Sequence, residues 1–282
     1  MRLLKLDKSV SLIATGLLAG AVIFGGAFKA TQSFAVETLR IGGTGASTGM
    51  SRVVGAVYSQ QSGAVPVEVV EGLGSGGGIK AVIAGAIDIS FSSRPLKEKE
   101  QGKGIVASPI LRTPFVAVTS RSNAGDLRAT EFAGYYSRAD AKWADGTPVK
   151  IILRPKSESD TKLMAKFFPG MAEAIAAARA RSEVPVAQTD QDNASMAMAN
   201  RGALTSGTML QMLAERRPLQ FLSIDGVAPS VKTMLSGAYP YSKTLYIVHA
   251  ENPSPAVAEF VAFLRSPAGI AQFARLGAAP AQ

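Results

Sequence analysis

The sequence predicts an α/β protein on two observations: strand-like and helix-like apolar patterns alternate along the chain, and one unit, strand then Gly/hydroxyl turn then helix, occurs twice near its start. In the first unit Thr38 to Gly42 is strand-like and Gly43-Thr44-Gly45-Ala46-Ser47-Thr48 is the turn. Met50, Val53, Val54, Val57 and Tyr58 then fall at i, i+3, i+4, i+7 and i+8, an amphipathic helix. Ser47 or Thr48 is expected near its N-cap, where a hydroxyl can accept from a free N–H. In the second unit Val65, Val67, Val69 and Val70 form the strand, residues 71–80 read Glu-Gly-Leu-Gly-Ser-Gly-Gly-Gly-Ile-Lys, and Ile79, Val82, Ile83 and Ala86 recur at helical spacing.

Further along, Ile87, Ile89 and Phe91 alternate toward Ser92-Ser93-Arg94-Pro95, another strand ending in hydroxyls. Strands are also expected over 114–119, 149–153, 219–224 and 244–248, and helices over 160–168, 171–181, 194–200 and 207–215. Val257, Phe260, Val261 and Leu264 share a helical face. Ser266-Pro267 opens a last helix that Gly277 ends: Ser caps, Pro fits the first turn where its missing N–H costs nothing, and Gly takes the left-handed stop.

Residues 1–35 read as separate from this fold. Arg2, Lys5 and Lys8 make a basic start, residues 9–28 carry no charge, and Ser33-Phe34-Ala35 offers small residues before a cleavage point. This is an export signal cut before Val36 or, since 20 uncharged residues suffice to cross a bilayer, an uncleaved inner-membrane anchor with its basic end in the cytoplasm. Both place residues 36–282 in the periplasm.

Composition narrows the function. With no cysteine there is neither a disulfide framework nor a thiolate site, so stability must come from the core, and the 247 residues after Ala35 suffice for one large or two ordinary domains. They hold 26 basic and 20 acidic residues, a mild excess that serves solubility and favours an anionic ligand by steering. The cations are scattered, without a basic run or an aromatic platform, which argues against nucleic acid. His249, the only histidine, lies in the strand-like run Leu245 to Ala250, so a structural role is expected. No Gly-x-Ser-x-Gly elbow precedes a helix with triad partners in order, and metal-ligand spacings are absent, so an enzyme, a metal and a cofactor are all disfavoured. Trp143 and the group Phe132, Tyr135, Tyr136 are expected in the core.

What chemistry remains lies in the turns. A serine among glycines ahead of a helix bares backbone N–H groups at its positive end, and Ser75 adds a hydroxyl donor beside Gly74. Three readings of this stretch stand: an ordinary turn, an anion loop, or a dinucleotide fingerprint through Gly72, Gly74 and Gly77. Against the last, residues 92–96, about 20 positions on, hold no acid for a ribose. In open α/β sheets ligands gather at the carboxyl ends of strands. Here those ends carry Ser47 and Thr48, Ser75, Ser92 to Arg94, and Arg154 to Thr161. Each alone is a cap or turn. Together, hydroxyls, backbone donors and guanidinium groups suit a small tetrahedral oxyanion, which offers acceptors in all directions.

These segments resemble the phosphate-binding periplasmic receptors of ABC importers, over nearly the whole of 36–282. The likeness rests on Gly45-Ala-Ser-Thr48, Glu71 to Lys80, Gly85-Ala-Ile-Asp88 leading to Ser93-Arg94-Pro95-Leu96-Lys97 with Glu100, Phe132 to Trp143 followed by the strand at 149–153 and Arg154, Asp225-Gly-Val-Ala-Pro229, Gly237-Ala-Tyr-Pro240, and the ending Phe263-Leu-Arg-Ser-Pro267, Gly277 and Pro280. The resemblance implies a two-lobed type II periplasmic binding protein fold, with 36–120 plus 227–282 as lobe one, 121–226 as lobe two, and crossovers near 119–123 and 223–228. It implies a monomeric solute-binding protein that passes phosphate or a related oxyanion to an inner-membrane ABC permease. An exported oxyanion sensor of the same fold, or a secreted nucleotide-binding enzyme using Gly72 to Gly77, are the alternatives. The implied ligand residues are Ser47, Thr48, Gly74, Ser75, Ser93, Arg94, Arg154, Ser159, Asp160 and Thr161. Two features depart from the family. Ser159-Asp160-Thr161 stands where Ser-Gly-Thr is usual, one residue further from Arg154, and Ser93 stands where one branch has aspartate. Asp160 is either a relocated pocket carboxylate, which would accept from a protonated oxyanion and repel a fully ionised one, or a helix-start residue facing solvent.

Overall fold

The computed structural model describes residues 37–61 and 63–281; the expected export segment and the cleavage point before Val36 lie outside them. The chain begins β1 (Leu39–Gly43), α1 (Gly45–Ser59), β2 (Val67–Val69), α2 (Gly74–Ile83), β3 (Ile89–Ser92), β4 (Ile105–Thr119), β5 (Asp126–Leu127) and α3 (Phe132–Ser137). It continues β6 (Lys150–Ile151), α4 (Ser159–Phe167), α5 (Met171–Arg179), α6 (Asp190–Ala199), β7 (Ala203–Thr208), α7 (Met209–Ala214), β8 (Gln220–Phe221) and β9 (Ser223–Ile224). It ends α8 (Val231–Leu235), β10 (Ser242–Ala250), α9 (Pro255–Arg265), α10 (Pro267–Arg275) and β11 (Ala279–Pro280). The predicted α/β class is the observed one.

A nine-stranded mixed sheet runs β2-β1-β3-β10-β4-β7-β6, with β8 and β11 also on β4, and β5 pairs β9 separately. β1 lies parallel to β2 and β3, as the two strand-turn-helix units require, because parallel neighbours need a crossover helix. β10 is antiparallel to both β3 and β4. Two main cores pack on different parts of the sheet. Met50, Val54 and Tyr58 of α1 pack with Ile41, Leu245 and Phe260 in the first, where Tyr58 meets Phe260 edge to face at 5.0 Å. Phe132, Tyr136 and Trp143 build the second together with Phe168 and Tyr239, and Tyr135 packs against it, so the four aromatics expected in the core are there. β4 serves both: Ile110 and Leu111 enter the first core and Phe115 and Ala117 the second.

Sequence and structure differ at four places. The strand expected at 114–119 is only the second half of the 15-residue β4. Pro109 and Pro114 hide the first half, and the structure accommodates Pro109 at a register shift: Leu245 pairs with Leu111 and Tyr246 with Pro109, leaving Ile110 as the extra residue of a bulge. β7 has no alternation because all six residues are buried. The strand expected over 219–224 divides into β8 and β9, and α6 begins four residues before the expected 194. The hydroxyl segments also move. Ser47, Ser75 and Ser159 belong to the first turns of α1, α2 and α4, not to loops ahead of them.

Candidate functional site

A helix leaves its first N–H groups without intrahelical acceptors. In α6 to α10 a side chain accepts one of them: Thr189, Thr208, Ser230, Ser254 and Ser266 each cap their helix. In α1, α2 and α4 no side chain does so. α3 and α5 lack such a cap as well; what sets α1, α2 and α4 apart is the hydroxyl residues in their first turns, with the Asp190 carboxylate beside the start of α1 and Asp160 in the first turn of α4.

The turn from β1 into α1 shows how the chain arranges this. Gly43 has φ +121°, and a Cβ there would collide with the Phe91 carbonyl, so only glycine lets β1 bend so close to β3. Thr44, the N-cap residue, turns its hydroxyl away from its own helix to Ser93 Oγ at 2.8 Å. The Ser93 N–H in turn donates to Ser75 Oγ at 2.9 Å, which leaves the Ser75 O–H free to donate. Ser93 thus ties the α1 and α2 N-termini together.

From the other side, Arg154 is 5% exposed. Its Nη1 donates to the Ala187 carbonyl at 3.0 Å, Nη2 stands 3.6 Å from Glu158 and 3.7 Å from Asp190, and Nε is buried without a partner. Asp160 does not face solvent: at 2% exposure its Oδ1 takes an ion pair from Lys243 of β10, itself 2% exposed, while Oδ2 is buried with no donor. Asp190 completes the group. It is 7% exposed at the start of α6, and its Oδ2 lies so near Gly45 that any Cβ there would overlap it. Burial, then the neighbouring Asp160 charge, push the Asp190 carboxyl above the usual carboxylate range. Gln191 Nε2 donates to the Gly45 carbonyl at 2.9 Å, so the first turn of α1 meets that of α6 directly.

Ser75, Ser93, Arg154 and Asp160 are thereby linked through Thr44, Gly45 and Asp190 into one group. Other expected residues have different work. Arg94 is held by Glu100 through two hydrogen bonds of 2.6 and 2.8 Å, so its guanidinium pins its own loop. Ser47 donates to the Thr44 carbonyl and Thr161 to those of Arg154 and Pro155. Ser159 donates to Asp160 at 3.3 Å, and Thr48 is buried at 6%. Gly74 opens α2 at φ +63°. A gap of only about 10 Å³ lies between Arg154, Thr161 and the second-core side chains Tyr136, Met164 and Ile175. A larger cavity of about 610 Å³ lies along the β6 edge and holds none of these residues.

Sequence reasoning missed Lys243 and Asp190. A signal for Lys243 existed: it shares the alternating inward face of β10 with Leu245 and Ile247. For Asp190 there was none, since Asp192 already fills the capping box with Thr189 and another acid in a first turn is ordinary. His249 sits on β10 with Nδ1 2.7 Å from the Ala250 carbonyl. Among the described residues no cluster of three or more His, Asp or Glu side chains is placed to hold a metal, and no helix is long and apolar enough to cross a membrane.

A family model described as the PBP superfamily domain matches residues 29–268. A search of curated proteins finds no match. Among solved structures, a Clostridium perfringens chain titled as a phosphate ABC transporter substrate-binding protein with bound phosphate superposes with a TM-score of 0.74 at 17% identity, over 87% of this chain and 100% of that one. An ABC-type phosphate transport receptor from Vibrio cholerae gives 0.60 at 18% identity, with 87% and 100% covered. The periplasmic molybdate-binding protein of Azotobacter vinelandii gives 0.59 at 13% identity, with 86% and 100% covered. The fold is that of the type II periplasmic binding proteins.

Proposed function

We propose, since the chain belongs to the PBP superfamily domain family, that it is a periplasmic solute-binding protein which captures a tetrahedral oxyanion, inorganic phosphate before others, and delivers it to an inner-membrane ABC permease without turnover. Residues 1–35 act as its export signal or anchor. The observation that carries the ligand class is the hydrogen-bonded joining of the α1 and α2 N-termini through Ser93, beside Asp190 and its neighbour Arg154, whose Nε is buried without an acceptor. Backbone donors, the Ser75 hydroxyl and a guanidinium complement an anion with oxygens on every side. Asp160 favours phosphate among such anions. Its buried Oδ2 lacks a donor, hydrogen phosphate brings a proton to it, and sulfate brings none.

The lobes we assign are 36–120 plus 227–282 and 121–226; two features support a two-lobed division, while Phe115, Ala117 and Tyr239 pack in the second core and carry its edges beyond 121–226. β4 passes from one main core to the other, and Asp225 and Gly226, with φ of +52° and +77°, turn the chain back just after β9. Hinge opening between the lobes then supplies the ligand's entry. Calorimetric titration of the purified protein with phosphate, sulfate, molybdate and NAD tests the function. One phosphate per chain is expected to bind tightly. Ser75→Ala should weaken it by about 1–3 kcal/mol through loss of a donor to a charged acceptor, and Arg154→Ala by at least as much. Binding of NAD with indifference to phosphate would overturn the reading.

A further inference from the structure

With Asp190 ionised, the buried centre is charge-balanced before an anion arrives. Arg154 and Lys243 supply two positive charges, Asp160 and Asp190 two negative ones, and all four side chains are at most a tenth exposed. Glu158, 3.6 Å from Arg154 and 37% exposed, adds a further negative charge at the rim. A phosphate dianion entering here meets no net positive charge, and the helix N-termini offer only about half a charge each. Uncompensated charge at such depth is costly, and the group best placed to give way is the one nearest the incoming anion. Asp190 is that group, because its Oδ2 rests against Gly45 at the very N-terminus of α1, where an anion held by that helix would also lie.

We propose that anion capture by this protein takes up one proton, and that the proton lands on the Asp190 carboxylate. Protonation turns a repelling acceptor into an O–H donor facing the anion, and it frees the Arg154 charge, 3.7 Å away, for the ligand. The inference rests on the solute-binding function above.

The surrounding elements pull in both directions, and burial decides the sum. Asp160 on α4 and Glu158 ahead of it raise the proton affinity of Asp190, while Lys243 on β10 and Arg154 lower it without outweighing burial. On α6 itself Asp192 caps the helix. On the α7 side Gln211 donates to the Asp190 carbonyl, Gln191 links Gly45 to Glu215, and Arg217 neutralises Glu215 at 2.9 Å. β7 offers only neutral partners, Thr205 and Ser206, to Asn193. The carboxyl starts above the usual carboxylate range, and an anion beside it raises it further. Between those two values the liganded protein holds more protons than the free one, so affinity falls as pH rises through that window, by up to about tenfold per pH unit.

Phosphate titrations in buffers of different ionisation enthalpy count the protons. Wild type should take up close to one proton more per phosphate than Asp190→Asn; the titration of phosphate itself is common to both and cancels. The infrared difference spectrum of the wild type should also gain a protonated-carboxyl C=O band on phosphate addition, a readout that needs no variant and to which phosphate contributes nothing. Equal proton counts, or no such band on a protein that binds phosphate, overturn the proposal. A protein that binds none of phosphate, sulfate and molybdate overturns the solute-binding function and the proposal with it.

Discussion

Replacing Lys243 by methionine isolates the worth of the buried ion pair. Methionine keeps the stem that packs in β10 and deletes only the ammonium, so Asp160 is left at 2% exposure without its cation and with its Oδ2 already lacking a donor. Breaking one side of a buried pair costs about 3–5 kcal/mol, because the remaining charge has neither water nor partner. For a domain of this size that lowers Tm by roughly 6–20 °C. Adding Asp160→Asn removes the stranded charge, so the double variant should recover most of the loss and leave a coupling of more than about 1 kcal/mol. Urea unfolding of wild type, both single variants and the double variant at one pH and one salt concentration measures it. A loss below about 1 kcal/mol for Lys243→Met, or a double variant that costs the sum of its parts, would refute the claim that these two charges depend on each other.

Two further predictions concern stability. The Glu100 carboxyl, hydrogen-bonded by Arg94 and then by the Lys97 N–H, is lowered to about 2, against about 4.3 in an unfolded chain. Its folded value is the depressed one, so its stabilisation of about 2–3 kcal/mol is present above pH ~5 and lost as pH falls from about 4 to 2; Glu100→Gln should flatten that part of the acid-unfolding profile, and an unchanged profile contradicts the assignment. Gly277→Ala should cost more than Gly237→Ala. Both positions have φ near +75 to +80°, worth about 1–2 kcal/mol of strain, but at Gly277 the new Cβ lies 2.5 Å from Met209 Cγ while at Gly237 nothing stands within 4 Å. Thermal unfolding of the two variants decides it, and equal losses would mean that α7 moves aside freely.

The sequence by itself determined the α/β class, the strand-turn-helix units and the hydroxyl-bearing segments, because those signals are local. A period of two or 3.6, a glycine where the chain must turn, and a serine ahead of an apolar run need no partner to be recognised. It also pointed to Ser75, Ser93, Arg154 and Asp160, which the structure links in one group. Only the tertiary structure decided what each of them does. Arg94 and Arg154 look alike in sequence, yet one is consumed by Glu100 six residues away and the other keeps a buried Nε without an acceptor. Asp160 reads as a helix-start residue until β10 brings Lys243 against it from 83 positions along the chain. Asp190 carries no local mark, and its position beside Gly45 is set by the packing of α6 against α1 across 145 residues of sequence. Electrostatic roles depend on burial and on which charges meet, and those are properties of the folded arrangement, whereas helices, strands and turns are written in neighbouring residues.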